Sequence, residues 1–108
     1  YTYRAFVVRV LDGDTLKVVV DLGFGVRSVQ TLRLRGIDCP ELVSQEGKEA
    51  KAFVEKLLPP STQILIKTTK SDKYDRYLAD VFITDKTGEA QYLNNVLLQK
   101  DLAVRVSE

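Results

Sequence analysis

The sequence places five charged residues of complementary chemistry in three short polar segments. Asp14 lies in LDGDT, while Arg33, Asp38 and Glu41 lie in LRLRGIDCPE and Arg76 lies in SDKYDRY. Asp14 and Asp38 carry hard anionic oxygens, which suit Ca²⁺ or Mg²⁺ when waters and a backbone carbonyl complete the coordination. Glu41 could act as a general base toward water, and the two arginines could hold phosphate oxygens through paired N–H donors. If the segments converge, the pattern indicates metal-assisted hydrolysis of a phosphodiester.

Each segment also has an ordinary interpretation when it is taken alone. In LRLRGIDCPE, Arg33 and Arg35 would simply face outward together if Leu32 and Leu34 face the core. LDGDT is typical of a tight turn, since aspartate favours turns and Gly13 can adopt a positive φ. SDKYDRY is typical of a solvated loop between strands. The same loop also alternates cations with aromatic rings, including Lys73 and Tyr74, and this suits a nucleotide whose phosphate and base are held together.

The composition excludes several kinds of site. The 108 residues contain no histidine and one cysteine, so a histidine-based catalytic triad, a zinc site and an intramolecular disulfide are ruled out. A net charge of +1 gives no overall basic field, so recognition of a polyanion must come from local placement of cations. No apolar run is long enough to predict a membrane span.

The elements that must position these residues can be predicted from periodicity. Alternating polar and apolar residues predict strands, and Gly36 is expected to end the third of them. A helix is predicted between the third and fourth strands, because Ala50, Phe53, Val54 and Leu57 form one apolar stripe that Pro59-Pro60 ends. A second helix is predicted at YLNNVLLQK. The predicted strands are YRAFVVRVL, TLKVVVDL, VRSVQTLRLRGI, TQILIKTTK and LADVFITD.

The order of these elements predicts an α+β fold in a single domain of residues 1–108. Five strands with a helix between the third and fourth fit a five-stranded OB-fold antiparallel β-barrel with two helices. A mixed α+β sheet is the less specific alternative.

Four motifs in order resemble the staphylococcal (micrococcal) nuclease-like, or thermonuclease, family. They are VLDGDTLKV, LRLRGIDCPE, EGKEAKAFVEKLL and DKYDRYLADVF, and the similarity runs from about Phe6 to Val106. The resemblance implies an OB-fold barrel with helices. It also implies a Ca²⁺-dependent phosphodiesterase that acts on DNA and RNA and leaves 3′-phosphate and 5′-hydroxyl ends.

Position within these motifs assigns roles to the acidic segment. Asp14 and Asp38 match the family's metal carboxylates. Cys39 matches the residue that offers its backbone carbonyl to the metal, a role that does not need the thiol. Glu41 matches the residue proposed as general base.

The basic residues are assigned by the same resemblance. Arg33 matches the family's first catalytic arginine by its spacing from the acid of GIDCPE, and Arg76 in DKYDRY matches the second. Lys73 and Tyr74 match the pair that touches nucleotide phosphate. Arg35 is an additional arginine, which we assign to substrate binding.

The resemblance also implies a substrate, an oligomeric state, a metal ion and a cellular location. We expect a DNA or RNA substrate, a monomer, one bound Ca²⁺, and a secreted or envelope-bound protein with a segment preceding Tyr1. The main alternative is a non-catalytic module that binds nucleic acid or protein, since domains of this fold also serve that purpose. A plain OB barrel with a charged surface is the third possibility.

Overall fold

The regular elements follow the predicted order along the chain. The computed structural model describes residues 2–71, 77–84 and 87–106. The elements are β1 (Thr2–Asp12), β2 (Thr15–Asp21), β3 (Arg27–Leu34), β4 (Ile37–Asp38), α1 (Gln45–Leu57), β5 (Gln63–Ser71), β6 (Tyr77–Thr84), β7 (Ala90–Tyr92), α2 (Leu93–Gln99) and β8 (Val104–Arg105).

Five of the strands close into a barrel, which confirms the predicted fold. β3, β2, β1, β5 and β6 are hydrogen-bonded in that order through antiparallel pairs. The barrel closes where Leu32–Leu34 of β3 pairs in parallel with Tyr77–Ala79 of β6. This parallel pair places the end of β3, which carries Arg33, directly beside the beginning of β6.

Alternation along the strands fills the barrel with apolar side chains. Val18 of β2, Leu32 and Leu34 of β3, and Ile66 of β5 are all almost completely buried. Residues between them on the same strands point outward, as the period of two requires. The side chain of Arg33 therefore points out of the barrel, between Leu32 and Leu34. Because both leucines are packed in the core, they fix the backbone of Arg33.

Helix α1 packs its predicted apolar stripe against the barrel. Ala50 and Val54 are buried, and Phe53 and Leu57 are partly buried against the core. Ser44 caps the helix, since its Oγ accepts a hydrogen bond from the main-chain N–H of Gly47 at 3.0 Å. Neither described helix has the length and apolar character needed to cross a membrane.

Three short strands were not predicted from the sequence. β7 extends the sheet beyond β6, and β4 pairs with β8 through Ile37↔Arg105 and Asp38↔Val104. Gly36 lies between β3 and β4 with φ of 78°, a left-handed conformation that glycine adopts without a steric penalty. This reversal turns Asp38 back toward Arg33.

Candidate active site

The turn between β1 and β2 is stabilised by a hydrogen bond between its two aspartates. It also packs tightly against Ala50 and Cys39. Asp12 Oδ1 accepts a hydrogen bond from the main-chain N–H of Asp14 at 3.2 Å. A Cβ added to Gly13 would lie 2.8 Å from both Ala50 Cβ and Cys39 Sγ. Gly13 is not among the glycines with positive φ. The reason for glycine here is therefore lack of space, and not the positive φ that the turn sequence suggested.

The carboxylate of Asp14 is buried and held by three neighbours. Its Oδ2 accepts from the main-chain N–H of Cys39 at 3.0 Å, and its Oδ1 accepts from Thr15 Oγ1 at 3.1 Å. Burial by itself would raise the pKa of Asp14, but these hydrogen bonds, that with Asp12 and the charge of Arg33 hold the pKa below its usual value. Asp14 thus remains an anion although it is 7% exposed.

Asp12 is the acidic neighbour of Asp14 and was not assigned a role from the sequence. Burial raises the pKa of Asp12 to about 6, and the hydrogen bond and negative charge of Asp14 add to the rise. Two carboxylates this close compete to ionise, and a bound cation would relieve their repulsion. The signal that could have identified Asp12 is its place as the first acid of LDGDT.

Arg33 joins the end of β3 to β4. Nη2 of Arg33 donates a hydrogen bond to the carbonyl oxygen of Ile37 at 3.0 Å and lies 3.5 Å from Asp38 Oδ1. The Arg33 side chain is 16% exposed and that of Asp38 is 56% exposed, so the pair lies at the surface of the barrel. Because Arg33 also lowers the pKa of Asp14 through its charge, one guanidinium lies near both predicted metal carboxylates.

Cys39 contributes through its backbone. Its main-chain N–H reaches Asp14, which brings the β1–β2 turn and the segment after β4 together. Burial raises the pKa of the Cys39 thiol to about 12, and the charges of Asp14, Asp12 and Asp38 raise it further. A thiol with this raised pKa is protonated at neutral pH and is a weak nucleophile.

Glu41 is exposed, and its backbone is fixed by the start of α1. The carbonyl oxygen of Glu41 accepts from Ser44 Oγ at 2.7 Å and from the Ser44 main-chain N–H at 3.0 Å. A Cβ added to Gly47 would lie 2.0 Å from that oxygen, so only glycine allows the approach. The backbone of Glu41 is thus fixed two residues beyond Cys39, and the residue is exposed to solvent.

Arg35 is paired with β6 and does not reach Asp38. Its Nε and Nη2 donate to the two carboxylate oxygens of Asp80 at 3.2 and 3.1 Å. Hydrogen bonding to Asp80 and the charge of Asp80 raise the pKa of Arg35. Tyr92 donates its hydroxyl to Asp80 Oδ1 at 2.5 Å. The assignment of Arg35 to substrate binding stays a prediction, as do those of Lys73, Tyr74 and Arg76, which lie outside the described residues.

Asn94 of α2 is buried and hydrogen-bonds to the backbone of two neighbouring strand segments, after β3 and in β6. Sequence reasoning did not identify it. Its Nδ2 donates to the carbonyl oxygens of Arg35 and Ala79 at 2.9 and 3.2 Å, and its Oδ1 accepts from Val81 N–H at 3.2 Å. These bonds lock the end of β3 onto β6. The available signal was weak, because Asn94 is one of two adjacent asparagines between the buried Leu93 and Leu97 of the predicted second helix.

The donor set at this site suits a hard cation. Within the described ranges, no three acidic or cysteine side chains lie close enough to ligate one metal ion by themselves. Asp14 and Asp38 offer carboxylate oxygens, and the bond from Cys39 to Asp14 holds the backbone of the Asp38 segment close to Asp14. Oxygen donors of this kind, completed by water or substrate oxygens, match the requirements of Ca²⁺.

Comparisons with known proteins identify the family of the chain. A family model described as staphylococcal nuclease homologue matches residues 31–108. An uncharacterized protein of Methanocaldococcus jannaschii is 30% identical, over 88% of this chain and 56% of its own length. Uncharacterized endonucleases of Escherichia coli and of its O157:H7 strain are each 31% identical, over 81% of this chain and 53% of their own length. The chain thus spans about half the length of these relatives.

Proposed function

Since the chain belongs to the staphylococcal nuclease homologue family, we propose that it is a Ca²⁺-dependent nuclease. The substrate would be DNA or RNA, and the products would carry 3′-phosphate and 5′-hydroxyl ends. The matched region contains Arg33, Asp38, Cys39 and Glu41, whereas Asp14 precedes it. The role of Asp14 therefore rests on its geometry and on the LDGDT motif.

The hydrogen bond from Cys39 N–H to Asp14 is the observation that carries this proposal. It joins residues 25 positions apart, and it places a buried anion next to the segment that carries Asp38. Nη2 of Arg33 lies 3.5 Å from the Asp38 carboxylate. Negative oxygens for a cation and a guanidinium for a phosphate are therefore adjacent, as metal-assisted phosphodiester hydrolysis requires.

Asp14, Asp38 and the carbonyl of Cys39 would hold the ion. Bound Ca²⁺ would supply positive charge that neutralises a phosphate oxygen in the transition state. Asp14 is suited to its part because its hydrogen bonds keep it ionised despite burial. Asp38 is suited because its exposed carboxylate can be reached from solvent.

The chain's own residues would carry the remaining chemistry. Glu41 would accept a proton from water as the water oxygen bonds to phosphorus. The bond from phosphorus to the 5′ oxygen would break, and that oxygen would take up a proton from solvent. Arg33 and Arg76 would donate hydrogen bonds to the phosphate oxygens as their charge increases. Glu41 is available for this role because the residue is exposed and its backbone is fixed.

Further contacts to the polynucleotide would come from the basic residues. Lys73 and Tyr74 would touch a neighbouring phosphate. Arg35 would contribute less, because its bidentate pair with Asp80 leaves mainly its Nη1 donors for a ligand.

The test is digestion of single-stranded DNA with Ca²⁺, with EDTA, and with the Asp38→Ala variant. Cleavage that requires Ca²⁺ and falls by on the order of 10²-fold or more in Asp38→Ala supports the proposal. Glu55→Ala, which removes an exposed carboxylate from α1, is the matched control and should cleave normally. Cleavage that persists in EDTA contradicts the metal mechanism. Tight binding of DNA without cleavage would favour the non-catalytic binding module.

A further inference from the structure

The end of the barrel near the β2–β3 connection contains an open cavity of about 190 Å³. All five barrel strands contribute to its lining. The lining residues with polar side-chain atoms are Tyr3, Ser28, Gln30, Thr68 and Tyr77. We call this cavity the mouth pocket. It is separate from the site described above, which lies where β3 runs into β4.

The inward face of the barrel changes from apolar to polar at the mouth pocket. On β3, Leu32 is buried in the core, but Gln30 and Ser28 continue the same face toward the opening. On β5, Thr68 follows the buried Ile66 in the same way. Hydration would account for polar side chains at an open mouth. It does not account for two tyrosine side chains that line the same small concavity.

The lining of the mouth pocket specifies the chemistry of a ligand. Its volume is below the roughly 300–1,000 Å³ typical of pockets for drug-sized molecules, so it suits a single planar ring system. No residue of the described lining carries a formal charge, which favours a neutral group. Gln30 Nε2 donates to Ser28 Oγ at 2.7 Å, and this fixes the amide so that its oxygen can accept from a ligand. Tyr77 is 42% exposed and offers a ring for stacking.

We propose that the mouth pocket binds one nucleobase of the polynucleotide, at a distance from the bond that is cut. This inference rests on the proposed function. Gln30 lies three residues before Arg33 on β3, which corresponds to about 10 Å along the strand. This distance exceeds the spacing of about 3.4 Å between successive nucleotides of a duplex strand, so the base would belong to a nucleotide other than the one whose phosphate is cut. The base hydrogen-bonds to Gln30 and Thr68 and stacks on Tyr77.

The test is a titration of the isotope-labelled protein with thymidine and with adenosine, followed by NMR. Nucleosides carry no phosphate, so their binding is independent of Arg33 and of the metal carboxylates. We expect saturable shifts at the amides of Ser28, Gln30 and Thr68. Tyr77→Ala should weaken binding by roughly tenfold through loss of stacking. Gln30→Leu should weaken it by roughly fivefold through loss of one hydrogen bond.

Two controls separate the proposed site from general effects. Gln63→Leu makes the same change at an exposed position of β5 outside the mouth pocket and should bind nucleosides normally. Benzyl alcohol offers a neutral aromatic ring without the hydrogen-bonding edge of a base, and it should bind more weakly than either nucleoside.

The outcomes distinguish this inference from the proposed function. If nucleosides do not shift the mouth-pocket amides while DNA is still cleaved, the inference is wrong and the nuclease proposal stands. If nucleosides bind there but DNA is not cleaved, the base site stands and the catalytic proposal fails. Equal binding of benzyl alcohol would also overturn the inference, because the pocket would then be a general aromatic site.

Discussion

The main-chain N–H of Cys39 donates a hydrogen bond to Oδ2 of Asp14 at 3.0 Å, and this contact joins the β1–β2 turn to the segment that follows β4. Asp14 is buried at that point and would be costly to ionise without such partners. The bond keeps an anion below the surface, beside the segment that carries the exposed Asp38, and the charge of Arg33 helps to hold the pKa of that anion down. We interpret this arrangement of Asp14, Asp38 and Cys39 as a pre-organised binding site for a cation.

Arg33→Lys should separate the contribution of geometry from that of charge. Lysine keeps the positive charge but loses the planar fork that contacts Ile37 and can grip two phosphate oxygens. We expect kcat to fall by on the order of 10²-fold, with a smaller change in KM. Arg4→Lys is the control, since Arg4 is an exposed arginine on β1, and it should leave both parameters unchanged. A rise in KM with an unchanged kcat would assign Arg33 to binding alone.

Gly47→Ala should destabilise the protein, although it lies in a helix. Helix propensity by itself favours alanine over glycine by about 1 kcal/mol. A Cβ at this position would lie 2.0 Å from the carbonyl oxygen of Glu41, and such overpacking costs about 1–3 kcal/mol or more. We therefore expect a net loss in the free energy of unfolding, measured with urea. The control Lys48→Ala, at the next and exposed position of α1, should change it by less than about 0.5 kcal/mol.

The same Gly47→Ala variant should lose nuclease activity by more than its loss of stability explains. The Cβ would displace the backbone of Glu41, whose carboxylate we assign as general base. Cleavage is therefore compared with wild type at a temperature where both proteins are folded. A stable and fully active Gly47→Ala would mean that the Glu41 backbone moves without consequence for the chemistry.

Tyr92→Phe should lower stability in a pH-dependent way. Burial raises the pKa of Tyr92 to about 12, and the hydrogen bond to Asp80 and its charge contribute to the rise. A raised pKa in the folded state means that the stabilising contribution is complete below the ordinary value of about 10 and is lost as the pH rises through about 12. We expect wild type to be more stable than the variant by about 1 kcal/mol near pH 8.

That difference should shrink as the pH rises above about 10, when urea unfolding of both proteins is compared at several pH values. Tyr77→Phe is the matched control, because Tyr77 lies at the mouth pocket and does not contact Asp80. A Tyr92→Phe deficit that stays constant with pH would show that the hydrogen bond from the Tyr92 hydroxyl to Asp80 is not the source of the stabilisation.

Local periodicity was sufficient to predict the barrel strands and the first helix. The alternation of Leu32 and Leu34 with Arg33 and Arg35 identified β3, and the stripe through Ala50 and Val54 identified α1. These signals are local because each strand or helix must bury one face of its own. The resemblance to one nuclease family was confirmed by the family match, which covers three of the four motifs.

The remaining features depend on pairs of residues far apart in sequence. The pairing of β4 with β8 involves two residues on each strand, which is too short for any periodic pattern. The pair between Arg35 and Asp80 spans 45 positions, so nothing near Arg35 could reveal that its guanidinium is engaged. Gly13 was interpreted as a conformational glycine because turns favour it, but its environment, Ala50 and Cys39, comes from distant segments.

The most direct measurement is a Ca²⁺ titration of the labelled protein that follows the amide of Cys39 by NMR. We expect a saturable shift at Cys39 in wild type, because that N–H is bonded to a proposed metal carboxylate. Asp38→Asn should weaken the response by on the order of tenfold or more, through loss of a charged ligand, whereas Glu55→Gln should leave it unchanged. A Cys39 amide that does not respond to Ca²⁺, in a protein that still cleaves DNA, would contradict the account.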